Sequence, residues 1–526
     1  MTPLLASWGL PSRPARFLLS AFCLPMPHSA SSSELADAPH RPQFHYTPPE
    51  NWMNDPNGLV YHDGTYHLFH QYNPAGDQWG HMSWYHATSS DLVHWSHEGV
   101  ALPEEDGAMI FSGSAVVDVQ NTLGVGTDAA PPLVAIYTSH RADSDNGPSQ
   151  AQCLAYSVDG GATWAKYKGN PVLEHEDPDF RDPNVFWHEP TQAWVMAVAL
   201  AEQRKIQFYA SDDLVDWTLL SEFGPAGSTA GIWECPALFR APVQGRDETA
   251  WVLSVDVGYG AIAGGSGSQY FVGTFDGVEF TPHANSLAHA PHWADFGPDF
   301  YAAIPWNNVP PSDGRTLWLG WMNNWDYADQ LPTSPWRGAQ TIPRTVALRP
   351  VDGRLHLVQQ PVQELNTLRE NHVHLEGVPL PDATKTLTSD GISGDTLELM
   401  ADFFPGSAST VGLNIRVGKH DRTIVGYDAA SHSVFTDRTR SGSSSIGGGF
   451  SARHTAPLAA HKDHVSLHVL VDRSSVEVFA NGGERVLTHR IFPAPGSTGV
   501  SVFATNGTAE VVSLDAWTLR STWSDR

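Results

Sequence analysis

Positive charge is scarce in this chain: 30 Lys and Arg stand against 57 Asp and Glu, for a formal net charge of −27. Such a field repels nucleic acid and anionic membrane surfaces and argues against both as partners. Cysteine is scarcer still. The 526 residues hold only Cys23, Cys153 and Cys235, so no disulfide framework staples the fold. No run of about 18 apolar residues occurs, which excludes a spanning helix. Histidine is plentiful, and His62, His67, His70, His81 and His86 fall close together, but no CxxC or HExxH pairing accompanies them. Zinc sites want tighter ligand spacings, and no metal is expected.

The length implies two domains. Residues 1–40 read as an extension or an export segment, with Arg13 and Arg16 before the apolar run 17–24 and Ser29–Ala30 as a cleavage site. That reading makes the protein extracellular; a true start at Met26 would leave it in the cytoplasm. From His45 to about Pro350 the chain is dense in Trp, Tyr, Gly and short β-branched runs, without long helical periodicity, which reads as all-β.

Two repetitions narrow the fold. Ser-x-Asp-Leu-Val-x-Trp stands at 89–95 and 211–217, with a looser copy at 157–164. A polar turn closed by a packed Trp suits an outer hairpin. In addition, a polar or Pro/Gly-marked motif leads five times into a short apolar strand, around Asp55, Ser112, Asp182, Glu234 and Asp299. A unit of roughly 50 to 70 residues holds four strands and their loops, and radial repetition closes such units into a propeller. Five motifs predict five blades over 41–355. Val362, Leu365 and Leu368 at helical spacing predict a linking helix over 361–371, inside a linker at 356–375. Alternating strands such as 397–399, 411–415, 465–471 and 476–479 predict a β-sandwich over 376–526, with 441–450 as a loop in it.

If each motif opens the innermost strand of its blade, acids distant in sequence meet in one central pocket. Glycoside hydrolysis with retention uses two carboxyl groups about 5 Å apart, an attacker and a proton donor. Asp55 suits the attacker, with Pro56 restraining its backbone and Asn54 and Asn57 offering hydrogen bonds to the charged form. Alone, Asp-Pro-Asn-Gly reads first as a turn. Asp182 repeats the Asp-Pro device beside Arg181, which would hold it ionised if the side chains meet; the structural alternative is an Arg–Asp pair. By this logic Asp177 and Asp179 are decoys. Glu234 suits the donor because Trp233, Cys235 and Pro236 desolvate it, and Cys235 reads as a packed thiol.

The segments 52–58, 111–114, 180–183 and 233–236, with 472–479 and 490–493 further on, resemble glycoside hydrolase family 32, which holds invertases, inulinases and levanases. The resemblance runs from about His45 to the C-terminus. It implies a five-bladed propeller joined to a sandwich, Asp55 as nucleophile, Asp182 as transition-state stabiliser, Glu234 as acid/base, and no cofactor. It also implies that Asn54, Gln71, Trp79, Phe111, Ser112, Arg181 and Trp325 line a terminal-fructose pocket. Segments 264–273 and 321–328 look most like microbial exo-inulinases and exo-levanases. The expected partner is therefore a neutral fructose-containing sugar, with fructosyl transfer or non-catalytic fructan binding as the alternatives.

Overall fold

The computed structural model describes residues 35–523 apart from 128–129, 143–146, 352 and 443–444. The N-terminal features at 13–30 lie outside the described residues. Five antiparallel sheets follow one another in sequence, each opened by an inner strand: Asn51–His62, Ala108–Val117, Phe180–His188, Trp233–Pro242 and Tyr301–Pro305. Each inner strand packs against the next, and the first packs against the fifth, which closes a ring of blades. All three Ser-Asp-Trp turns join the third and fourth strands of their blades. In the first, Ser89 and Asp91 bond to each other and Asp91 Oδ1 accepts the backbone N–H of Val93 and His94.

Burial explains the change in sequence texture across a blade. Asn51–His62 is buried along most of its length, while the outermost strand, Ser96–Leu102, alternates between solvent and sheet. Every inner strand also carries a bulge at the same level. Residues 54–55, 111–112, 182–183, 235–236 and 302–303 each stand two against one on the neighbouring strand. A bulge bends the strand and re-aims its side chains, and at this level they turn into the hub. Pro183 and Pro236 sit inside bulges, where the missing N–H removes no ladder bond. Gly58 supplies φ +54°, and a Cβ there would lie 2.7 Å from the Phe69 ring.

Polar side chains tie the blades below this level. Asn57 accepts the N–H of Gly113, Ser114 donates to Pro183 O, and Asn184 accepts the N–H of Leu238. At the far end of the hub, Asn307 pairs through its backbone with Leu59 and Tyr61. Its amide donates to Ala115 O and Val185 O, both at 2.9 Å. One residue thus joins the fifth blade to the first three.

The fifth sheet ends with strand Arg354–Pro361, and the sandwich begins with strand Arg369–Pro379. The linking helix expected over 361–371 is reduced to a 3₁₀ turn at Gln363–Leu368, and strands occupy most of 356–375. Leu365 and Leu368 are buried as the spacing suggests, but the short gap between two strands leaves room for the tighter turn only. Sheets of six and five strands form the sandwich, with helix Leu380–Ser389 against it.

The two domains share a buried ionic seam. Arg344 of the propeller reaches Asp295 (3.2 Å) and Glu477, while His45 lies 2.8 Å from both Glu477 and Asp472. The carboxylate of Asp472 also accepts the backbone N–H groups of Gln43, Phe44 and His45, anchoring the entry to the propeller on the sandwich. The histidine cluster is accounted for by packing. His67 bonds to His86 (3.0 Å), and His70 bonds to Gln71 O and Tyr46.

Candidate active site

A cavity of about 630 Å³ opens at the hub, and Asp55, Asp182 and Glu234 all line it, delivered by the first, third and fourth blades. Cys235 sits between two of them. Its Sγ lies 3.7 Å from Asp55 Oδ2 and 3.6 Å from Asp182 Oδ2, and its backbone N–H donates to Asp182 Oδ2 (2.9 Å). The backbone bends sharply here, with Asp182 at φ +66° and Cys235 at φ +45° although each precedes a proline. Such left-handed non-glycine residues are strained, and the surrounding bonds, including Asp182 N–H to Thr138 Oγ1 (2.9 Å), hold them.

Asp55 accepts Ser112 Oγ at 2.7 Å and Asn54 Nδ2 at 3.1 Å. Asn57, expected to serve the same carboxylate, donates instead to the backbone carbonyl of Asp55, because its side chain faces the joint between blades. Burial outweighs these bonds, and the charge of Glu234 adds to it, so the Asp55 carboxyl is held above the usual range.

Arg181 does not pair directly with Asp182. Its Nε donates to Glu234 (3.1 Å), and its Nη1 donates to Asp179 (2.9 Å) and Gln150 (3.1 Å). Asp182 is pushed up to about 7 by burial, against the pull of the Arg181 charge and with a further push from Glu234. The expectation of a direct Arg181–Asp182 pair is corrected accordingly, although the guanidinium charge still favours the ionised carboxylate. Asp179, set aside as a candidate acid, does not line the cavity, but it holds the guanidinium that touches Glu234.

Glu234 departs from the desolvated donor read from its neighbours. Its side chain is 20% exposed, and two donors grip it, Arg181 and the hydroxyl of Tyr301 at 2.5 Å. Trp233 is fully buried and bonds to Ser228 O. Behind Glu234, opposite it in the ladder, lies Asp256, which the sequence reading missed. Burial holds this carboxyl well above its ordinary value.

The remaining expected residues also line the cavity: Asn54, Gln71, Trp79, Phe111, Ser112, Arg181 and Trp325. Gln71 Nε2 is buried and finds no hydrogen-bond partner among the described residues, the kind of unmet donor that a ligand oxygen satisfies. Trp79 stands at the mouth, 46% exposed, with its ring edge-on to Phe111. Trp321 is fully buried behind Trp325. The outer wall, which includes Arg204, Ile232 and Tyr259, carried no motif and was not foreseen. Among the described residues, no group of three or more His, Cys, Asp or Glu side chains is arranged to hold a metal ion.

Comparison with known proteins agrees with this architecture. A levanase of Bacillus subtilis is 47% identical over 503 residues, covering 94% of this chain and 72% of that protein. The extracellular exo-inulinase inuE of Aspergillus niger is 43% identical, covering 93% and 96%. The crystal structure of exo-inulinase from Aspergillus awamori superposes with a TM-score of 0.84 at 40% identity, over 93% of this chain and 99% of that one. A fructofuranosidase from Schwanniomyces occidentalis, solved with fructose, gives 0.83 at 32% identity, over 94% and 100%. Residues 45–361 match the profile of the glycosyl hydrolases family 32 N-terminal domain and residues 364–518 that of the family's C-terminal domain, so this chain belongs to glycosyl hydrolase family 32.

Proposed function

We propose that this glycoside hydrolase is a retaining exo-β-fructosidase that removes terminal non-reducing fructofuranosyl units from fructans such as levan and inulin, and from sucrose. The observation that carries the reading is the meeting of Asp55, Asp182 and Glu234 in one pocket. A pocket with one opening takes a chain end, whereas internal cleavage needs a cleft open at both sides. The levanase and exo-inulinase relatives support the substrate class.

In the proposed reaction Asp55 attacks the anomeric carbon as Glu234 passes its proton to the departing oxygen, so the glycosidic C–O bond breaks as the ester bond forms. Arg181 and Tyr301 then stabilise the carboxylate left on Glu234, which readies it to take a proton from water. That water attacks the anomeric carbon, releases Asp55 and yields fructose with its configuration retained. Asp182, fixed by the Cys235 N–H, faces the sugar hydroxyls and favours the positive charge that develops on the ring. Ser112 and Asn54 keep the attacking oxygens aimed. The extracellular action named for the exo-inulinase relatives supports the same location for this protein.

Fructose release from levan, inulin and sucrose, measured in parallel with product size, tests the proposal. Monomeric fructose as the first product from each active substrate supports it. Short oligomers as first products would overturn the exo reading, and dominant transfer products at low substrate would overturn hydrolysis.

A further inference from the structure

We infer that the sandwich domain holds one wall of the sugar pocket in place through Arg438, which makes Arg438 and Tyr327 positioning residues for Trp325. The kinetic part of this inference rests on the fructosidase reading; the structural part does not.

Trp325 lies in the segment 322–330, between the end of strand Thr316–Trp321 and the short strand Trp336–Arg337. No sheet ladder fixes Trp325 itself. Inside the propeller its ring stacks on Trp52 (6.3 Å, 22°) and packs on Trp321, and its N–H donates to Ser266 Oγ (3.2 Å). The propeller also holds the segment at Asn324, whose amide donates to Gly264 O, Ser266 O and Pro298 O, and at Asp329, whose carbonyl accepts Arg337; Tyr327, Asp326 and Gln330 in addition meet the sandwich.

Two residues beyond Trp325, Tyr327 is buried, and its hydroxyl donates to Asp299 Oδ1 (2.6 Å) and accepts from Arg438 (2.9 Å). Arg438 belongs to sandwich strand Ser433–Arg440 and is fully buried, with each guanidinium nitrogen engaged. It donates to Asp299 Oδ2 (2.7 Å), to Arg490 O (3.0 Å) and to Phe450 O (2.5 Å), and it lies 3.9 Å over the Phe450 ring. A planar fork with all three nitrogens engaged, in a dry site, is held to one geometry. The glycine-rich sandwich loop reinforces it. Gly447 N–H donates to Gln330 Oε1 (3.1 Å), and Gly448 approaches so closely that a Cβ would lie 2.6 Å from Asp326 O. Asn324 thus fixes one side of Trp325 within the propeller, and the second domain braces the other side at positions 326, 327 and 330.

Asp299 opens the fifth motif, yet it does not line the cavity. Its place in the repeat is used to grip the other domain.

The test compares Tyr327→Phe and Arg438→Met with Leu413→Ala, a variant of the sandwich core away from the segment. For the first two, KM for sucrose and levan should rise about fivefold with kcat within about twofold of wild type, the signature of lost uniform binding. Amide hydrogen exchange in 322–330 should quicken in both. Leu413→Ala should lose thermal stability while keeping KM and the exchange of that segment. Should Tyr327→Phe and Arg438→Met fail to fold, Gln330→Ala, at an exposed position, carries the same two readouts with smaller changes. Unchanged exchange in 322–330, or an equal KM shift in the Leu413 control, overturns the inference. Absence of fructose release by the wild type would overturn the fructosidase reading instead, and the exchange comparison would still decide this one.

Discussion

Two groups of buried acids sit in this molecule, and they are treated in opposite ways. At the domain seam, Asp295, Asp472 and Glu477 are matched by Arg344, His45 and backbone N–H groups. At the pocket, Asp55, Asp182 and Glu234 line the wall with Asp256 behind them, and the Arg181 guanidinium bonds to only one of the four, Glu234. Pairing holds Asp472 and Glu477 below their ordinary values despite complete burial, whereas burial outweighs Arg344 at Asp295 and holds it above its own. Crowding and burial hold Asp55, Asp182 and Asp256 above theirs. The seam spends its cations on cohesion, and the pocket leaves its acids under tension so that a sugar and a moving proton can relieve it.

The sharpest way to break this contrast is to neutralise one acid in each place. Glu234→Gln should cut kcat by about 10³-fold or more, since acid–base assistance is worth about 10² to 10⁴, and thermal melting should move little. Arg344→Met should do the reverse. Removing one partner of a buried ion pair costs about 3–5 kcal/mol, so denaturant unfolding should show a large loss while KM stays near wild type. Comparable activity losses in both variants would mean that the seam and the pocket are not separable.

A pH series sharpens the same contrast. Asp472 and Glu477 are depressed in the folded state, so their contribution is complete above about pH 4.5 and is lost as pH falls through their folded values. His45 is raised, because its two carboxylate partners outweigh burial; its contribution is complete below about pH 6 and is lost as pH rises through the folded value. Asp182 is raised to about 7, so it favours the folded state in acid and detracts from it as pH rises through that value. Asp182→Asn should therefore gain about 1–2 kcal/mol at pH 8 and almost nothing at pH 4, measured by urea unfolding, while losing activity. An equal change at both pH values would refute the strained-acid account.

The smallest effect is expected at the mouth. Trp79→Ala removes an exposed aromatic face worth about 0.5–1.5 kcal/mol, so KM should rise about 2- to 10-fold with kcat nearly constant.

Much of this could be read from the chain because the propeller repeats. Asp55, Ser112, Asp182 and Glu234 each stand at or beside a bulge, and the prolines that mark Asp-Pro and Cys-Pro are tolerated there for a backbone reason. What escaped was whatever depends on side-chain direction. Asn57 and Arg181 were assigned to the carboxylates next to them in sequence, yet the bends at the bulges send them to the next blade and to Glu234. Asp179 was set aside because it lacks the following proline, although its position before the strand lets it hold Arg181. Asp256 left no trace, since one acid within an apolar strand resembles any edge residue until its partner strand is known. The linking helix failed for a related reason: apolar spacing cannot tell a six-residue 3₁₀ turn from a longer helix when strands press on both ends.

The amide of Asn307, bonded to two blades at once, has a consequence for rigidity. It bolts together the second and third blades, the same two that deliver Ser112 and Asp182 to the pocket. Any drift of one blade against the other must first break that bolt, so the spacing of these two side chains is guarded from the far end of the hub as well as from the pocket itself.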